Sequence, residues 1–369
     1  MRKLGQIGVL LTALLACKSG QPGEPSASSA SARSPNPPAP APLPQASTAA
    51  STETVRPSAP EPGAPKAFGQ NIKAEPCAIH GREFRGNSAT VIRDIDVVGS
   101  HLLVTDFLGR LARFNIDEDG PCQLRLDTSF GKQGVLELGV DHLSHDDEGN
   151  LVGSSAIGPN GTSRTQFITE AGSQFTCDNR GYVALHADGK WAISHFTNTS
   201  LGIVDIDRAA RSCRRKEWGP VAESGKLKRP FWVVTSVRVI GDEVYVGGEF
   251  PESVNPKRPN VVRVYDKAGR ELRGFGSLEP KADDAFEWVS YMGLCSHGLC
   301  VHDENRHRIS VWQRGGDRHL GNIDLKQLLG AKFGDFSLAR DPDGQAFYVA
   351  GTESADGGEE GRIYRLTGL

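Results

Sequence analysis

The stretch from Gly298 to Trp312, GLCVHDENRHRISVW, sets out the pattern of the chain. Leu299 to His302 is apolar and β-prone, and Asp303-Glu304-Asn305 has turn chemistry. Arg308 to Trp312 then alternates polar with apolar residues, so the stretch predicts strand, turn, strand. The same unit recurs behind a tight hairpin glycine at Gly99, Gly149, Gly189, Gly241, Gly298 and Gly344, in the segments VVGSHLLVTDF, DDEGNLVGSS, HADGKWAISHF, VIGDEVYVGGEF, CSHGLCVHDEN and DPDGQAFYVAG. Further strands repeat behind it as GRLARF (109–114), NVVRVY (260–265), HRISVW (307–312) and GRIYRL (361–366), with a weak version at Thr165 to Ile168 in the second unit. The glycines are 50, 40, 52, 57 and 46 residues apart. A four-stranded propeller blade needs roughly 40 to 50 residues, so six units predict six blades.

No interval keeps a 3.6-residue apolar period, and the best helix candidate, Leu325 to Ala331, is a turn or two between blades. The fold class expected is therefore all-β, a six-bladed β-propeller over residues 67–369. Asp303-Glu304-Asn305-Arg306-His307-Arg308-Ile309 resembles the core of the NHL repeat, and Val104-Thr105-Asp106 and Val301-His302-Asp303 resemble its strand-ending aspartate. Leu126-Asp127-Thr128-Ser129-Phe130-Gly131 with Gly134-Val135, and Pro342-Asp343-Gly344 with Val349-Ala350-Gly351, are similar to the delta-sixty propeller repeat of bacterial surface proteins. Both resemblances imply a fold and not a reaction.

Ahead of the repeats the pattern changes twice. Arg2 and Lys3, an apolar run from Ile7 to Leu15 and Leu14-Leu15-Ala16-Cys17 resemble a bacterial lipobox. Residues 1–16 would be a signal peptide and Cys17 the lipidated first residue of the mature chain, with a plain secretory signal as the alternative. The run is short of the ~20 residues that span a bilayer. Residues 18–65 hold 12 of the 22 prolines among Ser, Ala and Thr, with no apolar periodicity, so 17–66 is expected to be the lipidated cysteine and a disordered tether. The location implied is a bacterial cell envelope, lipid-anchored, on the outer membrane at its periplasmic side or surface.

Charge and cysteine content narrow the picture further. Removing Arg2 and Lys3 takes the net charge from -3 to -5, which argues against a nucleic-acid partner. Setting Cys17 aside leaves six of the seven cysteines, an even number suited to disulfides in an exported chain. Fifteen pairings are possible in principle. Cys295 and Cys300 flank one tight hairpin, Cys177 and Cys213 end successive outer strands, and Cys77 and Cys122 match them if the N-terminus closes the ring. The last blade lacks an outer strand, because the sequence stops at Leu369 directly after its third strand. The segment Cys77 to Phe84 is expected to supply that strand and remove the exposed edge.

Loops after each second strand and loops entering each first strand emerge on one face, the default site. The repeats place Asp106, Phe107, His195, Phe196, Glu249, Phe250, Asp303 and Glu304 there, beside Ser154-Ser155 and Thr352-Glu353. Such a rim of acids and aromatics could stack a sugar or peptide. The plainer reading is that the aspartates brace turns and the phenylalanines fill gaps between blades. His142 and His145, with Asp141, Asp146 and Asp147 around them, suggest a metal, but His145 falls at an inner strand's end, toward the opposite face. Trp232 and Trp288 enter first strands. No Gly-x-Ser-x-Gly, His-Glu-x-x-His or phosphate-cradling loop occurs, and Gly153-Ser154-Ser155 lacks the strand-to-helix turn of a nucleophile elbow. The function expected is an envelope-tethered, non-enzymatic binding module for a protein or glycan, monomeric and without a cofactor. The alternative is a Ca2+-dependent hydrolase or lactonase, with Asp106, Glu249 and Asp303 around an axial ion.

Overall fold

A computed structural model of the chain describes residues 71–369 except 83–84, 87–91, 118–119, 156–163, 170–171, 178–180, 197–199, 220–232, 250–259, 317, 331–332, 342–343 and 356–357. Cys17, the tether, Trp232 and Phe250 lie outside the described residues. What is described is almost entirely β, with one α-helix, Leu325–Leu329, at the position the sequence suggested. Asp324 caps it by accepting from the Gln327 N–H.

Six sheets, antiparallel apart from one added strand in the first, are arranged as six blades. Their innermost strands are Ile92–Val98, His142–His145, Tyr182–Leu185, Val233–Ile240, Val289–Cys295 and Phe333–Arg340. Each is joined to its second strand by a hairpin carrying one of the six repeated glycines, and all six have positive φ: Gly99 56°, Gly149 77°, Gly189 67°, Gly241 58°, Gly298 147° and Gly344 70°. Side chains other than glycine seldom adopt that region, which is why glycine marks the repeat. Four inner strands also share a bulge near their start, at Arg93, Thr235, Ser290 and Phe336. The extra residue turns the following side chains toward the axis or the neighbouring blade.

Because alternate residues face opposite sides of a blade, each blade has two apolar faces to bury. The buried side chains accordingly form six clusters, one between each pair of neighbouring blades. Trp312, the end of the opening motif, packs between the fourth and fifth blades, 4.7 Å from Phe275 and 5.9 Å from Phe286 by ring centroids. The Trp218 indole ties the third blade to the fourth by donating to the Lys267 carbonyl at 2.7 Å.

The sixth cluster joins the last blade to the first: Ile95 and Val97 pack with Ala339, Tyr348 and Ala350. The N-terminus does close the ring, but not through the expected segment. Lys73–Pro76, just before Cys77, is the outer strand of the last blade, pairing antiparallel from Lys73 opposite Thr367 to Pro76 opposite Tyr364. The chain then crosses to the first blade, where Ala78–His80 runs parallel to Gln123–Leu126 as an added fifth strand. Arg85–Gly86 returns to the last blade, against Glu359 and Glu360. The Cys77–Cys122 disulfide causes this division: Cys122 belongs to the first blade, so Cys77 marks the crossing and the last blade must take its strand from residues before it. The other two bridges are Cys177–Cys213 and Cys295–Cys300, with Cα–Cα distances of 5.9 and 5.8 Å.

Candidate functional site

On the face reached by the loops after each second strand, the aspartates are buried and engaged. Asp106 Oδ1 accepts from the backbone N–H of Leu108 and of Arg110, both at 3.0 Å, while Oδ2 takes Arg110 Nε at 2.7 Å and Arg82 Nη2 at 3.0 Å. The Gly109 N–H closes the turn on the Asp106 carbonyl. The same Asp-x-x-Gly brace recurs at Asp146 with Gly149, Asp266 with Gly269 and Asp341 with Gly344. Asp303 Oδ1 accepts from the N–H groups of Glu287 and Trp288 at 3.0 Å, which pins the loop entering the inner strand to the end of the second strand. Burial pushes the Asp303 carboxyl above the ordinary range, against the pull of those N–H groups and of Arg308 and Arg306.

The other rim positions are separate. Glu249 is half-buried opposite Val233, and Glu304 opens the 3-10 turn Glu304–Arg306. Phe196 is at a strand end opposite Ser200, and its side chain lies outside the described residues. Phe107 and Leu108, at the tip of the turn that Asp106 braces, are 50% and 55% exposed. The Arg93 guanidinium sits 5.1 Å from the Phe107 ring centroid, so a charge from the inner strand props this tip from beneath.

A Ca2+ ion needs oxygen ligands with free lone pairs. Those of Asp106 and Asp303 are committed to guanidinium and backbone N–H donors, and the structure does not bring Asp106, Glu249 and Asp303 together. Among the described residues no three His, Cys, Asp or Glu side chains are gathered as a metal ion would require. This donor set does not fit the ion.

The axis holds the denser chemistry. Asp94 accepts from the Leu143 N–H at 2.8 Å, from the Ser337 hydroxyl and from His142 Nδ1 at 3.0 Å. That leaves His142 Nε2 as the acceptor for Arg238 Nη1 at 3.1 Å. Burial would raise the Asp94 carboxyl, but His142, Arg238 and Ser337 outweigh it and hold it low. His195, placed on the rim by the repeat, is buried at the axis instead, its ring 5.2 Å from that of Tyr182. Burial, with His142 and Arg238 nearby, pushes its pKa down to about 3. One step toward the hairpin face, His145 Nδ1 lies 2.8 Å from Asp96 Oδ2, and Asp96 raises its pKa. Asp141 is raised by burial.

This belt opens at the hairpin end of the axis into a cavity of about 990 Å3, whose lining includes Asp96, His145, Arg238, Tyr291 and Arg340. It is the opposite end from the Phe107 tip. Of these residues only His145 stands out from the repeat pattern. The belt's other sequence mark is a polar or charged residue in the middle of an otherwise apolar inner strand: Asp94 and Asp96 in IRDIDVV, and Arg238 in VVTSVRVI.

No protein-family model matches the chain, and no curated protein matches it. Solved structures do. The β-propeller domain of Cps50 (Swd1) from Myceliophteria thermophila aligns with a TM-score of 0.46 at 12% identity, covering 78% of this chain and 99% of that one. A chain of the COPII outer coat vertex on membranes aligns at 0.45 and 10% identity, covering 74% of this chain and 69% of that one. A chain of the COPII coat assembled on membranes gives the same score and identity over 38% of its length. The six-bladed assignment stands on the sheet order and the six inter-blade clusters of this chain.

Proposed function

We propose that the chain is a lipid-anchored, non-enzymatic binding module of a bacterial cell envelope, which recognises a protein or glycan through the rim that carries Phe107. The propeller fold is consistent with such a role. The observation that carries the reading is the tip itself: two apolar side chains, Phe107 and Leu108, stand half exposed on a turn held rigid by a buried, fully engaged Asp106. Exposed apolar area on a preorganised loop loses little entropy when a partner covers it. Phe196, Glu249, Phe250 and Glu304 would extend the surface around the ring.

Anchoring is supported by the sequence at Leu14-Leu15-Ala16-Cys17, and export by the three disulfides, which persist in oxidising compartments. The NHL-like and delta-sixty-like segments support kinship with bacterial propellers. Among the described residues no helix is long and apolar enough to cross a membrane, so attachment in this reading rests on Cys17. A photo-crosslinking residue placed at Leu108 tests the binding role. A discrete adduct in intact cells is expected there and not at exposed Glu217; adducts at both or at neither position would contradict it.

A further inference from the structure

We propose that the axial cavity at the hairpin face is a second binding site, for a small ligand bearing a carboxylate, with Arg238 and Arg340 as its anchors. It lies at the far end of the axis from the Phe107 tip and does not depend on the rim being a binding surface.

Most of the acids around the axis are already satisfied. Asp94 is saturated by Leu143, His142 and Ser337. Asp96 takes the Val97 N–H at 3.0 Å and His145 Nδ1 at 2.8 Å. Asp146 takes Arg208 at 2.8 Å, and Asp341 takes the N–H groups of Gln345 and Ala346 at 2.8 and 2.9 Å. Asp96, Asp146 and Asp341 are thus engaged by other donors, and among the described residues none of the lining acids, Asp147 and Glu148 included, forms an ion pair with either arginine.

The arginines, in contrast, keep donors to spare. Each guanidinium has five N–H donors. Arg238 spends one on His142 and lies over the Tyr291 ring at 5.1 Å, an arrangement that orients the fork without using its remaining donors. The Arg340 backbone pairs with Phe347, but among the described residues its guanidinium has no hydrogen-bond or ion-pair partner, and its buried Nε is unsatisfied. Its guanidinium rests on Gly344, where any Cβ would collide with it, so the hairpin glycine of the last blade also makes room for this side chain. A buried donor without an acceptor is costly, and a bound acceptor would recover that cost.

Size and surroundings define the ligand. At about 990 Å3 the cavity is far larger than an ion, and Leu103, Phe130, Leu143 and Ile240 give it apolar wall for a ligand body. A guanidinium fork matches a planar carboxylate bidentately. Asp96, Asp146, Asp147, Glu148 and Asp341 line the same cavity and would repel a phosphate dianion more strongly than a monoanionic carboxylate.

Calorimetric titration of the full chain with acetate, benzoate and D-glucuronate tests this, with inorganic phosphate and D-glucose as comparisons. At least one carboxylate should bind saturably with Kd on the order of 1 mM or tighter. Arg340→Gln should weaken it by about tenfold or more, and Arg340→Lys, which keeps the charge and loses the fork, by less. Both variants should melt at or above the wild-type temperature, since each removes the unsatisfied buried Nε. The proposal is overturned if no carboxylate binds saturably, if phosphate or glucose binds more tightly, or if Arg340→Gln and Arg340→Lys bind like the wild type.

Discussion

Glu75 and Arg365, 290 residues apart in sequence, are joined by an ion pair of 2.7 Å across the seam of the ring. The other oxygen of Glu75 accepts from the Cys122 N–H at 3.1 Å, so one carboxylate ties the last strand, the N-terminal strand and the first blade together. Those donors hold its carboxyl below the ordinary range. The pair is partly exposed and contributes little by itself. Its position shows that closure depends on residues 73–77.

A chain beginning at Gly86 should therefore be destabilised or associate, whereas one beginning at Ala67 should be monomeric. The shorter chain lacks the outer strand of the last blade and leaves a long edge unpaired. Sedimentation and thermal melting of the two proteins check this, and equal stability would contradict the seam.

The disulfides should not contribute equally. In the chain-entropy account a bridge across 45 residues, as in Cys77–Cys122, is worth ~4 kcal/mol, and one across 5, as in Cys295–Cys300, roughly half of that. Replacing Cys77 and Cys122, or Cys177 and Cys213 with their similar 36-residue span, by Ser should lower the urea midpoint more than replacing Cys295 and Cys300. Peptide mapping without reduction should recover all three pairs, and free thiols at Cys295 and Cys300 in protein taken from the envelope would contradict the assignment.

The repeat carried much of this architecture in plain view. Gly99 and its five counterparts announce hairpins because a positive φ is a local, residue-specific demand. The disulfide pairs followed from that register. The closing strand was displaced by a few residues because KAEP at 73–76 carries no strand signal of its own; its partner Gly361 to Leu366 and the crossing at Cys77 decide where it sits. The axial belt was missed for a different reason. Asp94, Arg238 and Arg340 come from blades far apart in sequence and meet only when the ring closes, so no spacing records them. His195 fell on the wrong side because the repeat fixes where its backbone lies and not which way its side chain turns.

Stability should fall with acid in a window set by His195. Its folded pKa of about 3 lies below the unfolded value near 6.5, so the unfolded chain binds the extra proton. The contribution is complete above pH ~6.5 and is lost as pH falls toward 3, at no more than about 1.4 kcal/mol per pH unit. His145 acts oppositely: raised by Asp96, it stabilises below its unfolded pKa and loses that contribution as pH rises through its folded value. Urea midpoints of wild type and His195→Gln between pH 7 and 5 should show a smaller loss in the variant; parallel curves would show that His195 is not the group responsible.

Anchoring predicts a simple fractionation result. Cys17→Ser should move the protein from the membrane pellet to the soluble fraction. Unchanged partitioning and migration would contradict lipidation at that cysteine.

Binding of the chain from Ala67 to isolated envelopes of the cells that make it tests the central claim most directly. The wild-type propeller should bind saturably. The Phe107→Ser, Leu108→Ser double variant should lose that binding while melting at the same temperature, since substitutions at exposed positions usually change stability by less than about 0.5 kcal/mol. Binding that never saturates, or a double variant that binds as the wild type does, would contradict the account.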